Sequence, residues 1–212
     1  MKSGYFITFE GGDGSGKSTQ LKYLGDTLEI NGIEMVRTRE PGGAPGAEEI
    51  RELLVSGTTV RWTPKTELLL HYGARMDHVD VIVKPALEAG KWVISDRFHD
   101  SSMAYQGFGH ELGSNLIDEL HALVLGEFRP DLTFILDLPV QLALKRTKQR
   151  DGGEDRYEQM GLAFHERIRL GFHEIARREP ARCILVDASK NVNAVYSDVL
   201  ETINKRLELN LK

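Results

Sequence analysis

The chain has 212 residues, with 27 Lys and Arg against 32 Asp and Glu and a formal net charge of −5. That length suits one α/β domain with its own core, the acidic balance argues against a protein that grips nucleic acid through overall basic charge, and no stretch approaches the roughly 18 apolar residues of a membrane span. The single cysteine, Cys183 in Cys-Ile-Leu-Val, allows no intramolecular disulfide and reads as a small buried hydrophobe, and with no apolar leader before the first strand a cytoplasmic chain is expected.

Tyr5-Phe6-Ile7-Thr8-Phe9 is an apolar, β-prone run that reads as a buried strand. It leads into Gly11-Gly12-Asp13-Gly14-Ser15-Gly16-Lys17-Ser18, which fits G-x-x-x-x-G-K-[ST] without a mismatch. Leu21, Leu24, Leu28 and Ile30 then recur at roughly helical spacing, and Gly32 supplies a stop. Strand, glycine loop, helix is the setting in which such a loop wraps an anion: its N–H groups point inward, and the helix N-terminus adds partial positive charge. A nucleoside triphosphate is the expected ligand. Lys17 would reach its β- and γ-phosphates and Ser18 would present a hydroxyl to Mg²⁺, with Thr19 following in the same turn.

Met35-Val36-Arg37-Thr38 reads as a second strand, ending in Arg39-Glu40-Pro41-Gly42-Gly43, and a helix is expected over Glu48–Leu54. Helical periodicity then runs from Thr66 to Ala89, where Pro85 either kinks it or begins a new helix. Trp92-Val93-Ile94-Ser95 is a third strand with Asp96-Arg97 at its C-terminal end, and Ser114 is placed to cap a helix from Asn115 to about Leu125. Leu132-Thr133-Phe134-Ile135-Leu136-Asp137 is the clearest buried strand; Pro139 suits the first turn of a helix reaching about Arg150, which Gly152-Gly153 breaks. A helix over about Glu158–Arg178, a fifth strand at Ile184-Leu185-Val186 and an amphipathic helix carrying Val195, Val199, Leu200 and Ile203 complete the chain.

Alternating strands and helices imply one domain over 1–212: a three-layer α/β fold with a five-stranded parallel sheet flanked by helices, of the P-loop nucleotide-binding kind. Ligands of such sheets lie beyond the carboxyl ends of the strands, and the polar clusters fall there: the glycine loop, Arg39-Glu40, Asp96-Arg97 and Asp187-Ala188-Ser189. Asp96 would hold Mg²⁺ through water or orient Arg97, and Arg97 suits a bidentate grip on phosphate. Lys145, Arg146, Lys148 and Arg150 form a basic helix end that fits either a solvated face or a mobile lid over about 146–157, closing on phosphates. His71 and Arg75, four apart, share a helical face and form a natural clamp for a nucleobase. Metal binding by His71, Asp77 and His78 lacks a matching partner pattern.

These segments resemble the thymidylate kinase family almost end to end. The resemblance rests on Phe9-Glu10-Gly11, Thr38-Arg39-Glu40-Pro41-Gly42-Gly43, Asp96-Arg97-Phe98, Ser101-Ser102-Met103-Ala104-Tyr105-Gln106-Gly107 and Arg129-Pro130-Asp131-Leu132. It implies transfer of the ATP γ-phosphoryl group to dTMP with Mg²⁺, in a homodimer. By position, Asp13 would contact the sugar 3′-hydroxyl, and Arg97 the 5′-phosphate beside the Arg39-Glu40-Pro41 loop. Arg75 would meet a thymine carbonyl, with Ser101 and Ser102 near. Tyr105, supported by Gln106, would stand where a ribose 2′-hydroxyl would sit. Asp187 and Ala188 would lie near adenine. With no arginine in the glycine loop, the resemblance is to the bacterial type, whose catalytic arginine comes from the lid: Arg150 first, Arg146 second. One departure stands out, since the family usually places phenylalanine where this chain has His71.

Two other readings remain open from sequence: a kinase for a different acceptor, and a GTP-dependent switch. Against the switch, no Asn-Lys-x-Asp motif is present; Asn204-Lys205 is followed by Arg206-Leu207.

Overall fold

Two apolar strands at the centre of the sheet set the architecture. β1 (Phe6–Glu10) is buried at every residue and β4 (Leu132–Asp137) at all but its last, the pattern of strands covered on both faces. The structure, a computed structural model, describes residues 4–148, 157 and 159–212. With β2 (Met35–Arg39), β3 (Trp92–Asp96) and β5 (Cys183–Asp187) they form one parallel sheet in the order β2-β3-β1-β4-β5. Cys183 is buried, as its apolar setting implies.

Helices cover both faces. On one, α1 (Lys17–Ile30) and the last helix, α9 (Val192–Leu207), pack Leu24, Leu28, Val195 and Val199 against Phe9, Phe134 and Leu136. Phe9 and Phe134 stack in the middle of this layer, ring centroids 5.5 Å apart; burying each contributes about 1.5–3 kcal/mol. On the other face, α8 (Leu162–Arg178) sets Phe164, Ile168 and Phe172 against Tyr105, Ile117 and Ile135. Completing the framework are α2 (Pro45–Val55), α3 (Pro64–His78), α4 (Lys84–Glu88), α5 (His99–Ser102), α6 (Ser114–Leu125) and α7 (Val140–Thr147).

Several boundaries depart from expectation for identifiable reasons. The run from Pro64 to Glu88 stays helical, and of the two expectations for Pro85 the second holds: it stands in the first turn of a new α-helix, α4, behind the π-helical Val79–Val83. The Lys84 N–H reaches back to the Val79 carbonyl, and the widened turn absorbs a residue that has no N–H. A second π-helical segment, Met103–Gly109, continues α5; its glycines and mixed polarity give no helical period to read. Ser114 is the first residue of α6 and not its cap; Gly113, at φ +84°, takes that place. α8 starts at Leu162, behind an extended Gly161. The helix after Pro139 is described only to Thr147. Arg150 and most of the expected lid, 149–156 and 158, lie outside the described residues.

Candidate functional site

The glycine loop joins β1 to α1 at the carboxyl edge of the sheet. Gly11 (φ +129°) and Gly14 (φ +80°) take conformations that side chains disfavour, and an added Cβ would come within 2.6 Å of the Leu136 and Ala143 carbonyl oxygens respectively. The loop therefore packs directly on the ends of the neighbouring elements. Lys17 folds back over it and donates to the carbonyls of Gly11 (3.1 Å) and Gly12 (3.0 Å). Ser15 N–H donates to Gly12 (3.3 Å), and the N–H groups of Thr19 and Gln20 donate to Gly16 (3.1 Å each). Beside the loop, Ser18 Oγ donates to Asp96 Oδ2 at 3.0 Å. Two hard oxygen donors side by side at the solvent edge suit Mg²⁺, which takes one or two protein oxygens and fills its remaining positions with water and phosphate. Among the described residues no cluster of three or more His, Cys, Asp or Glu could hold a metal.

A cavity of about 330 Å³ opens from the loop toward α2, α3 and α5. Arg97 is its central cation. This residue follows β3 with a left-handed backbone (φ +72°), held by Arg97 N–H to Phe9 O (2.9 Å) and by Ser95 Oγ to Arg97 O (2.8 Å). Its Nη2 donates to Asp13 Oδ1 (2.5 Å) and Tyr105 OH (3.1 Å), its Nη1 to Ser101 Oγ (3.0 Å) and Gly11 O (3.2 Å). Burial alone would raise the Asp13 carboxyl, but Arg97 and Lys17 outweigh it and bring it down to about 2. Burial pushes the Tyr105 hydroxyl up, so it stays protonated. Arg39 and Arg51 stand on the same side. Arg39 pairs with Glu48 at 3.1 Å, and Arg51 donates to the Pro41 carbonyl.

At the far end, Arg75 Nε donates to Glu40 Oε2 (2.7 Å) and Nη2 to both Ser102 Oγ and Phe98 O (3.0 Å each). The other Glu40 oxygen meets His78 Nδ1 at 2.9 Å. Burial opposes ionisation of Glu40, yet Arg75 and His78 together hold its carboxyl below the usual range. Glu40 is thus a buried brace for Arg75. Gln106 Nε2 donates to Glu67 (2.8 Å). After these bonds, Arg75 Nη1 and Gln106 Oε1 remain buried without partners. Both residues line the cavity, and His71 lies beside them with Nε2 3.0 Å from Tyr157 OH. Burial lowers the His71 imidazole to about 4, so the ring is neutral at pH 7.

The structure therefore gathers Asp13, Gly14, Gly16, Lys17 and Ser18 of the loop with Arg39, Glu40, Pro41, His71, Arg75, Asp96, Arg97, Ser101, Ser102, Tyr105 and Gln106 around one cavity. Arg146, Asp187 and Ala188 lie apart from it. Arg146 reaches the Gly14 and Ala188 carbonyls, both at 3.5 Å, and Asp187 accepts from Ser189 N–H (2.9 Å). Arg51 and Tyr157 join the lining without having been singled out in the sequence. Arg51 sits on a helix with Glu48, Glu49 and Glu52 and reads there as a solvated face; in the structure it turns inward to the Pro41 carbonyl. His78 and Asp77 serve other partners, Asp77 accepting from Ala47 N–H (3.0 Å).

The sequence profile of the family described as Thymidylate kinase matches residues 9–199. A thymidylate kinase of Caulobacter vibrioides is 51% identical over 209 residues, covering 99% of this chain and 100% of that protein. One of Dinoroseobacter shibae is 49% identical over 197 residues, covering 93% and 95%. The crystal structure of thymidylate kinase from Ehrlichia chaffeensis superposes with a TM-score of 0.77 at 37% identity, over 95% of this chain and 98% of the other.

Proposed function

The chain belongs to the thymidylate kinase family and phosphorylates dTMP to dTDP with ATP in dTTP synthesis, and from that premise we propose how its residues divide the work. One observation carries the acceptor assignment: the buried, unpartnered donor of Arg75 and acceptor of Gln106. Each such atom costs about 1–3 kcal/mol while unsatisfied. The imide edge of thymine answers both, a ring carbonyl for Arg75 Nη1 and the ring N–H for Gln106 Oε1. If that carbonyl is the one at C4, cytosine places an amino group and an unprotonated ring nitrogen there and leaves both unsatisfied, which is the strong form of discrimination. Ser102 and Glu40 orient Arg75; His71 covers the ring.

Asp13 accepts from the sugar 3′-hydroxyl, and Tyr105 fills the space a 2′-hydroxyl would need. Arg97 and Ser101 hold the 5′-phosphate, with Arg39, Arg51 and Pro41 closing that side. This acceptor is already a dianion near neutrality, since the second pKa of a phosphate monoester is about 6, so transfer needs no general base. It needs two polyanions held together in line. Lys17 leaves the loop carbonyls for the β- and γ-phosphates, and the amides of Gly11 to Gly16 cradle the chain of phosphates. Ser18 Oγ and, through water, Asp96 would hold Mg²⁺, which neutralises phosphate charge when bound. Arg146, between the Gly14 and Ala188 carbonyls, fits the adenine side with Asp187 and Ala188, which leaves the transition-state role to Arg150 of the lid.

We read the chain as a single-domain cytoplasmic enzyme without a nucleic-acid partner, in keeping with its acidic charge. It works as a homodimer through α3, where Leu69 (60% exposed) and Met76 (43%) lie two turns apart on one face. ADP formation with ATP, Mg²⁺ and each deoxynucleoside monophosphate in turn tests the assignment. dTMP should exceed dCMP in kcat/KM by roughly 10²–10⁴; comparable rates with dCMP, or no stimulation by dTMP, would contradict it.

A further inference from the structure

Glu10 closes β1, immediately before the glycine loop, and is wholly buried. It does not line the cavity. Its Oε1 accepts from Phe98 N–H at 2.7 Å, and its Oε2 accepts from Ser101 Oγ at 2.5 Å. Ser101 in turn accepts from Arg97 Nη1 at 3.0 Å and lines the cavity. A serine hydroxyl has one proton. While Glu10 is ionised, that proton is committed to Glu10, and Ser101 can offer the cavity only lone pairs. If Glu10 takes a proton, Oε2 becomes the donor. Ser101 then accepts from both Glu10 and Arg97, and its own O–H is free to turn toward whatever Arg97 holds.

We propose that Glu10 is a positioning residue that sets the direction of the Ser101 hydroxyl, so that binding of the dTMP phosphate is coupled to uptake of one proton by the Glu10 carboxyl. The proton comes from solvent; the Ser101 O–H swings from carboxylate to phosphate, and no other bond changes. This inference rests on Arg97 and Ser101 being the acceptor-phosphate site.

The surroundings favour Glu10 as the group that takes the proton. Burial and the neighbouring Asp100 push its carboxyl up to about 8, against the opposing pull of Ser101 and Arg97. Lys17 on α1, Arg75 on α3 and Cys183 on β5 also sense its charge. Asp100 remains ionised: burial works against it, but Arg182 grips both its oxygens at 2.7 and 2.9 Å and prevails. A phosphate dianion arriving at Arg97 adds negative charge beside Glu10 and shifts it further toward protonation. Affinity is then fullest below the carboxyl's own titration and falls as pH rises through it.

Isothermal titration of dTMP into the native protein without ATP, between pH 7 and 9 in buffers of different ionisation enthalpy, counts the protons. Uptake approaching one proton near the alkaline end is expected, with Kd rising up to about tenfold over that range. In Glu10→Gln the amide N–H₂ donates to Ser101 as the protonated acid would. That variant should bind dTMP with Kd independent of pH and without uptake. Binding without proton uptake by the native protein, which requires no variant, overturns the proposal. So does uptake that persists in Glu10→Gln. Absence of dTMP binding, or affinity unchanged in Arg97→Ala, would instead overturn the pocket assignment beneath it.

Discussion

At the scale of single residues, chemistry in this cavity is set by what each side chain has left over after its structural bonds. Arg75 spends Nε and Nη2 on Glu40, Phe98 and Ser102 and keeps Nη1. Gln106 gives its amide N–H₂ to Glu67 and keeps its oxygen. Sequence alone named Arg75, by its helical spacing from His71, and Gln106, by its place in a segment with a family signature, but could not name their leftover atoms. Those depend on partners up to 39 residues away. His71 is the converse case. Its spacing from Arg75 placed it at the site, whereas its bond to Tyr157 spans 86 residues and has no local signal. A neutral imidazole held by a tyrosine hydroxyl offers a methyl group less apolar surface than a phenyl ring would. His71→Phe should therefore raise the dTMP-over-dUMP ratio of kcat/KM, by up to about fourfold if the gain equals one buried methyl group. An unchanged ratio would show that the His71 ring does not touch the base edge that carries the methyl group.

Between elements, the site depends on a few polar ties that span the sheet edge. Glu40, just past β2, ties α3 to the sheet through Arg75 and His78, and all three are buried. Such a carboxylate is held ionised by its partners and contributes stability that is present above the ordinary carboxylate pKa, about 4.3, and lost as pH falls through its depressed folded value. Glu40→Gln leaves Arg75 partly unpaired and should lower unfolding stability at pH 7 by roughly 3–5 kcal/mol. Its stability should also fall less steeply with acid than that of the native chain. Urea unfolding of both proteins at pH 7 and at about pH 4 checks this, and parallel pH profiles would remove Glu40 from the role. The strands and most helices were legible in the sequence because apolar runs and helical spacing are local signals. The two π-helical segments were not. Val79–Val83 exists to pass Pro85, and Met103–Gly109 is fixed by packing against α8 and α6. Neither cause leaves a periodicity.

For the whole molecule, topology does what the individual residues cannot. The order β2-β3-β1-β4-β5 sets β1 between β3 and β4 and aligns their carboxyl ends. The glycine loop, Asp96 and Arg97 thereby meet, although the loop and Arg97 are 84 residues apart at the Asp13 bond. On the proposed reading, the donor phosphates run along the loop from that edge and the acceptor enters the cavity behind Arg97, so that two anions approach over the cations that line it: Lys17, Arg97, Arg39 and Arg51. We propose that this cavity holds dTMP with its thymine toward Arg75 and Gln106 and its phosphate toward the loop. A crystal structure with dTMP and a non-hydrolysable ATP analogue tests it most directly. The thymine carbonyl and ring N–H should lie roughly 3 Å from Arg75 Nη1 and Gln106 Oε1, with the 5′-phosphate on Arg97 and in line with the γ-phosphate. Thymine turned away from that pair, or a phosphate too distant from the donor for transfer, would contradict the account.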